Sequence, residues 1–159
     1  MIPTGGGSSV LGCDIGICEL LRRGEIGRLP RLFAAQPENC APLHATFLAG
    51  YDDLISIEAR PTIAEGTAIS RPIRWREVLA AIRRSNGLTV ALSEAELESA
   101  HAGLATMGVY VEPTSASAAA GFSKLLGAGT IRAEETTVLL MTGSGLKATQ
   151  KIGEMMGFL

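Results

Sequence analysis

A glycine-serine run near the start of the chain constrains the fold more than any other feature. Gly5, Gly6 and Gly7 follow a short apolar lead, and glycine lets a backbone adopt positive φ and approach a ligand closely. Ser8 and Ser9 then open a helical pattern, where free amides and the positive end of the helix dipole favour an anion. The run therefore predicts a loop that binds a phosphate group. Seen alone, it is also compatible with an ordinary turn or linker.

The rest of the chain alternates between short apolar strands and helices. Strands are predicted at residues 31–36, 88–92 and 136–142, and helices at residues 11–24, 42–50, 74–86, 93–107 and 114–126. Segment 136–142 is a continuous apolar run and is predicted to be buried on both faces, whereas segment 54–58 is ambiguous between strand and loop. Strands joined by helices imply a parallel sheet. The predicted fold class is therefore α/β, with a mostly parallel doubly wound sheet and helices on both faces.

Composition places the chain among proteins with a single core. Its 159 residues, 47% of them hydrophobic, are enough for one domain over residues 1–159. The 14 basic and 16 acidic residues are mixed along the sequence, which disfavours nucleic acid and anionic membranes as partners. Because neither a bilayer-spanning segment nor a secretory signal is visible, a cytoplasmic location is predicted.

Cysteines and histidines do not suggest a metal site. Cys13, Cys18 and Cys40 are odd in number and lack C-x-x-C spacing, so they are interpreted as small buried apolar residues. His44 and His101 are far apart in the sequence and show no ligand spacing. No metal is predicted.

Two glycine turns are predicted to meet at one edge of the sheet. The loop that begins at Gly5 follows residues 1–3, which are interpreted as a clipped first strand, and the turn at Thr142 and Gly143 follows the strand predicted at 136–142. In open α/β sheets, ligands bind at the carboxyl ends of strands. We therefore expect these distant segments to lie side by side.

Five segments resemble motifs of one enzyme family, in the same order. They are residues 1–12 (the phosphate loop), 36–43 (QPENCAPL), 62–66 (TIAEG), 112–116 (EPTSA) and 141–147 (MTGSGLK). Together they make nearly the whole chain resemble the C-terminal half of threonine synthase and its relatives, the pyridoxal-phosphate enzymes of the tryptophan synthase β-subunit type. The resemblance implies one lobe of a two-lobe fold, pyridoxal phosphate as cofactor and a small amino-acid substrate in the complete enzyme.

The resemblance also implies roles for individual residues. It assigns the cofactor phosphate to the amides of Gly5, Gly6, Gly7, Ser8 and Ser9, and the pyridine nitrogen to Thr142. A threonine hydroxyl is a neutral partner that can donate to an unprotonated ring nitrogen. Gly66 is implied close to the ring and Glu112 near its edge. Relatives often carry glycine at the position of Ser8, so a positive φ there would strain the loop.

The family's covalent lysine is missing from this sequence. In such enzymes the lysine that binds the cofactor belongs to the first lobe, and Lys124, Lys147 and Lys151 do not match its motif. No catalytic residue is therefore assigned. With only residues 1–3 before the glycine turn, the chain is expected to be an N-terminally truncated fragment. A split gene whose product pairs with a separate N-terminal lobe, a wrongly placed start codon and a decayed copy would each give such a sequence.

Three functions are consistent with these observations. The first is the cofactor-phosphate-binding lobe of a threonine synthase-like lyase, inactive alone, whose complete form converts O-phosphohomoserine and water into threonine and phosphate. The second is a non-catalytic phosphate- or nucleotide-binding module, or a decayed pseudoenzyme. The third is a structural protein whose exposed apolar face pairs with a copy of itself, and a homodimer is the expected oligomer.

Overall fold

A parallel sheet forms the centre of the molecule. The computed structural model describes residues 1–50 and 53–158. Within them, strands β1 (Ile2–Pro3), β2 (Phe33–Pro37) and β3 (Leu88–Leu92) lie in that order, each parallel to its neighbour. The helices are α1 (Ser8–Arg22), α2 (Pro42–Ala49), α3 (Trp75–Arg84), α4 (Glu94–Thr106), α5 (Pro113–Gly127) and α6 (Thr149–Met155). The predicted α/β fold class is confirmed.

The two faces of the sheet pack against different helices. On β2, Phe33 and Ala35 belong to a core that includes residues of α4 and α5. Ala34, between them, belongs to a second core with residues of α1, α2 and α3. Successive side chains of a strand point to opposite faces, so both faces of β2 are buried. The ends of the strands are left for the loops that carry the candidate site.

Local sequence signals determine where the helices begin and end. Gly24 follows α1 with a φ of 71°, and Asn86 follows α3 with a φ of 55°. The predicted capping box at the start of α4 is present: Ser93 Oγ accepts from Glu96 N, and the Glu96 carboxylate accepts from Ser93 N at 2.8 Å. These bonds satisfy amides that a helix start leaves without partners.

Segment 136–142 differs from its prediction as a strand buried on both faces. Met1 N donates to Val138 O at 2.8 Å and Leu140 N donates to Met1 O at 3.0 Å, which is the pattern of a parallel pair centred on Leu139. The pairing is confined to this one point beside the two-residue strand β1, and segment 136–142 forms no regular strand. Val138 is 73% exposed. The prediction of a buried strand is therefore wrong, although the segment does run alongside β1.

The other irregular segments also have defined places. Residues 54–58 form neither helix nor strand, and Val111 makes an isolated antiparallel bridge with Ser144.

Cys40 is buried while Cys13 and Cys18 are partly exposed, and all three are free thiols. Among the described residues, no helix has the length and apolar character needed to cross a bilayer.

Candidate functional site

The glycine loop connects β1 to α1 at the carboxyl end of the sheet. Gly7 is the N-cap residue of α1 and has a φ of 85°, in the left-handed region that favours glycine. Ser8 is the first residue of the helix and does not have positive φ. The loop therefore places its unusual backbone angle on a glycine, and Ser8 carries no strain of this kind.

The backbone amides of the loop are available to bind an anion. Over residues 1–50 and 53–158, no protein acceptor pairs with the amides of residues 5–10, and the first bond of α1 joins Leu11 N to Gly7 O at 3.0 Å. No side chain caps α1, and its first turn contains no acidic residue. Ser8 and Ser9 are exposed. This start of a 15-residue helix thus combines unpaired donors with the positive end of the helix dipole.

Neighbouring elements enclose the glycine loop from behind. A Cβ atom on Gly7 would overlap Cγ2 of Val78 on α3. A Cβ atom on Gly5 would lie 3.0 Å from Cα of Thr67, in the short turn Glu65–Thr67. Glycine at positions 5 and 7 is therefore required by close packing, in addition to the backbone angle of Gly7.

Gln36 holds the backbone just before the loop. Its side chain is fully buried on β2; Nε2 donates to Thr4 O at 3.1 Å, and Oε1 accepts from His44 N on α2 at 3.1 Å. Thr4 N donates to Ala35 O, so a continued parallel ladder would supply Thr4 O with the amide of residue 37. Residue 37 is proline and has no N–H. The Gln36 amide takes its place.

Thr142 is exposed and its hydroxyl contacts a buried serine. Ser115 Oγ, in the first turn of α5, lies 3.1 Å from Thr142 Oγ1 and accepts from Gly143 N at 2.9 Å. Ser115 itself is fully buried. The hydroxyl of Thr142 is thus held at the first turn of α5, while Thr142 itself remains accessible to solvent.

A series of close contacts joins the glycine loop to Thr142. The loop packs on Thr67, and Gly66 N in the same turn donates to Thr114 Oγ1 on α5 at 3.0 Å. Ser115, the next residue of α5, contacts Thr142. Both corners therefore lie at the carboxyl edge of the sheet, although they are far apart in the sequence.

Gly66 lies in the turn that packs on the glycine loop, and Glu112 lies beside the turn that follows Thr142. A Cβ atom on Gly66 would approach Thr114 Oγ1 to 3.0 Å, so the turn packs directly on α5. The Glu112 carboxylate lies against the backbone of Gly143, where a Cβ atom would overlap it. Glu112 N donates to Gly143 O at 3.1 Å. Glu112 therefore supports the turn that follows Thr142.

Two of the three lysines make ion pairs with glutamates. Lys124 Nζ donates to Ala91 O on β3 at 2.9 Å and pairs with Glu96 at 3.1 Å. Lys151 lies 3.5 Å from Glu65 and borders a cleft of about 310 Å³ between segment 60–68 and the start of α4. Lys147 lies in the short turn Gly145–Ala148. None of the contacts made by Lys124 and Lys151 assigns either of them to covalent chemistry.

The structure adds two residues that the sequence interpretation missed. Gln36 and Ser115 were both inside segments that resemble family motifs, but neither was assigned a role. Their partners lie 32 and 27 positions away in the chain, at Thr4 and Thr142. Only the motif membership signalled them, because a hydrogen bond to a distant backbone group leaves no pattern in a single sequence.

The surroundings of His44 predict that folding is sensitive to mild acid. Burial lowers the pKa of its imidazole; a hydrogen bond with Thr89 and the charge of Glu38 oppose the shift, and the charge of Lys124 adds to it. The folded state therefore binds fewer protons than the unfolded state below the usual pKa of about 6.5. We expect the free energy of unfolding to fall as the pH decreases through that range.

Urea unfolding at a series of pH values between about 7 and about 5 tests this expectation. His44→Asn, which keeps a polar atom near Thr89, should reduce the slope in that range. An unchanged slope in a folded His44→Asn protein would show that other groups cause the loss of stability.

Comparisons with known proteins point to one family. The family described as "Pyridoxal-phosphate dependent enzyme" matches residues 1–143. Threonine synthase of Methanocaldococcus jannaschii is 33% identical over 148 residues, which cover 92% of this chain and 36% of that protein. The chain thus spans little more than a third of the length of this relative.

Solved structures share the fold. The crystal structure of threonine synthase from Escherichia coli has a TM-score of 0.71 at 19% identity, covering 98% of this chain and 34% of that one. The crystal structure of a threonine deaminase from T.th. has a TM-score of 0.66 at 26% identity, covering 89% of this chain and 46% of that one. In each case the similarity extends over most of the present fold.

Proposed function

Because this chain belongs to the family of pyridoxal-phosphate dependent enzymes, we propose that it is the cofactor-phosphate-binding lobe of a threonine synthase-like lyase. One observation carries the proposal: the unpaired amides of residues 5–10 and the exposed residue Thr142 are joined by close contacts through Thr67 and the start of α5. In this proposal the amides of Gly5, Gly6, Gly7, Ser8 and Ser9 hold the cofactor phosphate. Thr142 donates to the ring nitrogen.

The residues present fit this cofactor. A phosphate is dianionic near neutral pH, and the start of α1 offers several N–H donors, two exposed hydroxyls and no competing acidic side chain. A side chain at position 7 would overlap Val78 and one at position 5 would crowd Thr67, so both glycines leave bare backbone at the loop. The neutral Thr142 hydroxyl can donate to an unprotonated ring nitrogen, whereas a carboxylate would favour the protonated ring.

The proposed reaction of the complete enzyme is the conversion of O-phosphohomoserine and water into threonine and phosphate. The name of the Methanocaldococcus jannaschii relative supports this choice. When bound, pyridoxal phosphate supplies an electron-withdrawing ring that stabilises negative charge on an amino-acid substrate. The present chain would orient that ring by holding its phosphate at α1 and its nitrogen at Thr142.

We propose that residues 1–159 act as one lobe and that a separate first lobe supplies the covalent lysine. The proposed location of the protein is the cytoplasm. Neither Lys124, which pairs with Glu96, nor Lys151, which pairs with Glu65, is placed for this role. Exposed apolar side chains such as Val138 and Leu146, at 73% and 78%, support a covering partner. Without that lobe, a homodimer is proposed, and sedimentation equilibrium of the isolated chain measures it.

Binding of a cofactor analogue tests the proposal directly. 4-Deoxypyridoxine 5′-phosphate has no aldehyde, so it needs no lysine. Calorimetric titration of the isolated chain should give an affinity at least about tenfold higher for this analogue than for unphosphorylated 4-deoxypyridoxine, because charge-assisted bonds to the phosphate are lost in the latter. Equal affinities, or no binding of either compound, would contradict the proposed phosphate site.

The same titration separates the alternative function. A freestanding nucleotide-binding module should bind AMP as tightly as it binds the pyridoxine analogue, whereas the proposed lobe should prefer the analogue. Addition of a lysine-bearing first lobe to the chain should then release phosphate from O-phosphohomoserine. A folded complex of the two lobes without this activity would count against the threonine synthase assignment.

A further inference from the structure

We propose that Ser115 is a positioning residue that makes Thr142 a hydrogen-bond donor toward the cofactor ring. The inference rests on the proposed function, because it concerns the hydroxyl that faces the ring nitrogen. Its basis is the set of hydrogen bonds around Ser115 Oγ, a fully buried atom in the first turn of α5. No sequence motif assigns this role.

Ser115 has one hydrogen to donate, and two acceptors lie within its reach. A serine hydroxyl has one donor and two acceptor positions. Its oxygen accepts from Gly143 N at 2.9 Å, so its hydrogen can reach either Thr142 Oγ1 at 3.1 Å or Gly143 O at 3.3 Å. Gly143 O already accepts from Glu112 N at 3.1 Å. The shorter contact to an acceptor without this second partner favours donation to Thr142.

Donation from Ser115 leaves the Thr142 hydrogen free. Two hydroxyls that share one hydrogen bond use only one of their two hydrogens in it. If Ser115 supplies that hydrogen, the Thr142 O–H is free to point elsewhere. Because Thr142 is exposed, a ring nitrogen can reach that O–H from solvent. The bond from Gly143 N also polarises the Ser115 hydroxyl and strengthens it as a donor. Thr142 is then prepared to donate to an unprotonated ring nitrogen.

Removing the Ser115 hydroxyl should leave the Thr142 hydroxyl without a fixed orientation. In Ser115→Ala, Gly143 N loses its acceptor and Thr142 loses the bond that fixes its rotamer and its hydrogen. The analogue 4-deoxypyridoxine 5′-phosphate should bind about three- to tenfold more weakly. Inorganic phosphate, which occupies only the glycine loop, should bind with unchanged affinity.

The ring nitrogen itself provides the decisive measurement. With the analogue labelled with ¹⁵N in the ring, Ser115→Ala and Thr142→Val should move the nitrogen resonance in the same direction, toward that of a ring without a protein donor. The double variant should differ little from Thr142→Val, because the two residues act through one hydrogen bond. A role for Ser115 in stability alone would not move this resonance.

Ser117 is a matched control on the same helix. Its side chain is also fully buried, but its Oγ has no hydrogen-bond partner among the residues that the structure describes. Ser117→Ala should therefore leave the affinity for the analogue within about twofold and the ring resonance unchanged. If Ser115→Ala does not fold, Ser115→Cys retains the shape with a weaker donor and should give a partial displacement of the resonance.

The outcomes distinguish this inference from the proposed function. If the unmodified chain does not bind the analogue, the proposed function fails and the role of Ser115 fails with it. If the chain binds the analogue and Thr142→Val moves the ring resonance, but neither Ser115→Ala nor Ser115→Cys does, the role of Ser115 alone is overturned.

Discussion

Gly7→Ala should destabilise the fold by about 2 to 5 kcal/mol and abolish binding of phosphorylated ligands. The residue has a φ of 85°, which costs an L-amino acid about 1–2 kcal/mol. Its new methyl group would also overlap Cγ2 of Val78 on α3, and such overpacking costs about 1–3 kcal/mol more. Relief of the overlap would move the amides at the start of α1, which form the proposed phosphate site. Urea unfolding and titration with 4-deoxypyridoxine 5′-phosphate measure the two effects.

Gly6→Ala is the matched control for this prediction. Gly6 does not have positive φ, and the nearest atom to a new Cβ is Ile69 Cδ1 at 3.7 Å, an ordinary contact distance. The change should alter stability by no more than about 0.5 kcal/mol. Val78→Ala combined with Gly7→Ala should recover part of the loss, because it removes the overlapping methyl group. Equal effects at positions 6 and 7 would contradict the packing argument.

Gln36→Leu should cost about 2 to 6 kcal/mol of stability. The side chain is fully buried and bonds to both Thr4 O and His44 N. Leucine has a similar size but satisfies neither group, and each buried polar group without a partner costs about 1–3 kcal/mol. Because Thr4 precedes the glycine loop, the affinity for 4-deoxypyridoxine 5′-phosphate should fall as well.

The effect of Gln36 depends on its buried position, and an exposed glutamine provides the comparison. Within the described part of the chain, the side chain of Gln150 on α6 bonds only to Glu154, on the protein surface, at 3.3 Å. Gln150→Leu should change the unfolding free energy by no more than about 0.5 kcal/mol and leave binding of the analogue unaffected. If Gln36→Leu lowered the unfolding free energy by as little as Gln150→Leu, the hydrogen bond from the Gln36 amide would not be what secures Thr4.

Local chemistry made much of the fold predictable. Strand Leu88–Leu92 has the bounds predicted from its apolar run, and α4 begins at the capping box of Ser93 and Glu96. The glycine loop lies at the end of a strand and the start of a helix, as its composition indicated. These features depend on residues within one turn of each other, so the sequence carries their cause.

The strand predicted at 136–142 shows where this reasoning stops. An apolar run such as this indicates a buried strand only if neighbours are available on its edges and faces. Here the pairing is confined to Met1, and Val138 remains 73% exposed. The apolar character of segment 136–142 is evident from its residues, but these residues do not show which other segments pair with it or cover it.

The sequence by itself determined the class of fold, the glycine loop at the start of α1 and the family, because each is encoded in short-range patterns. Only the tertiary structure decided that Gln36 replaces the amide missing at Pro37 and that Ser115 holds Thr142. Those bonds join groups that are distant in the chain, and their strength depends on burial and on angles that arise only when the helices pack on the sheet.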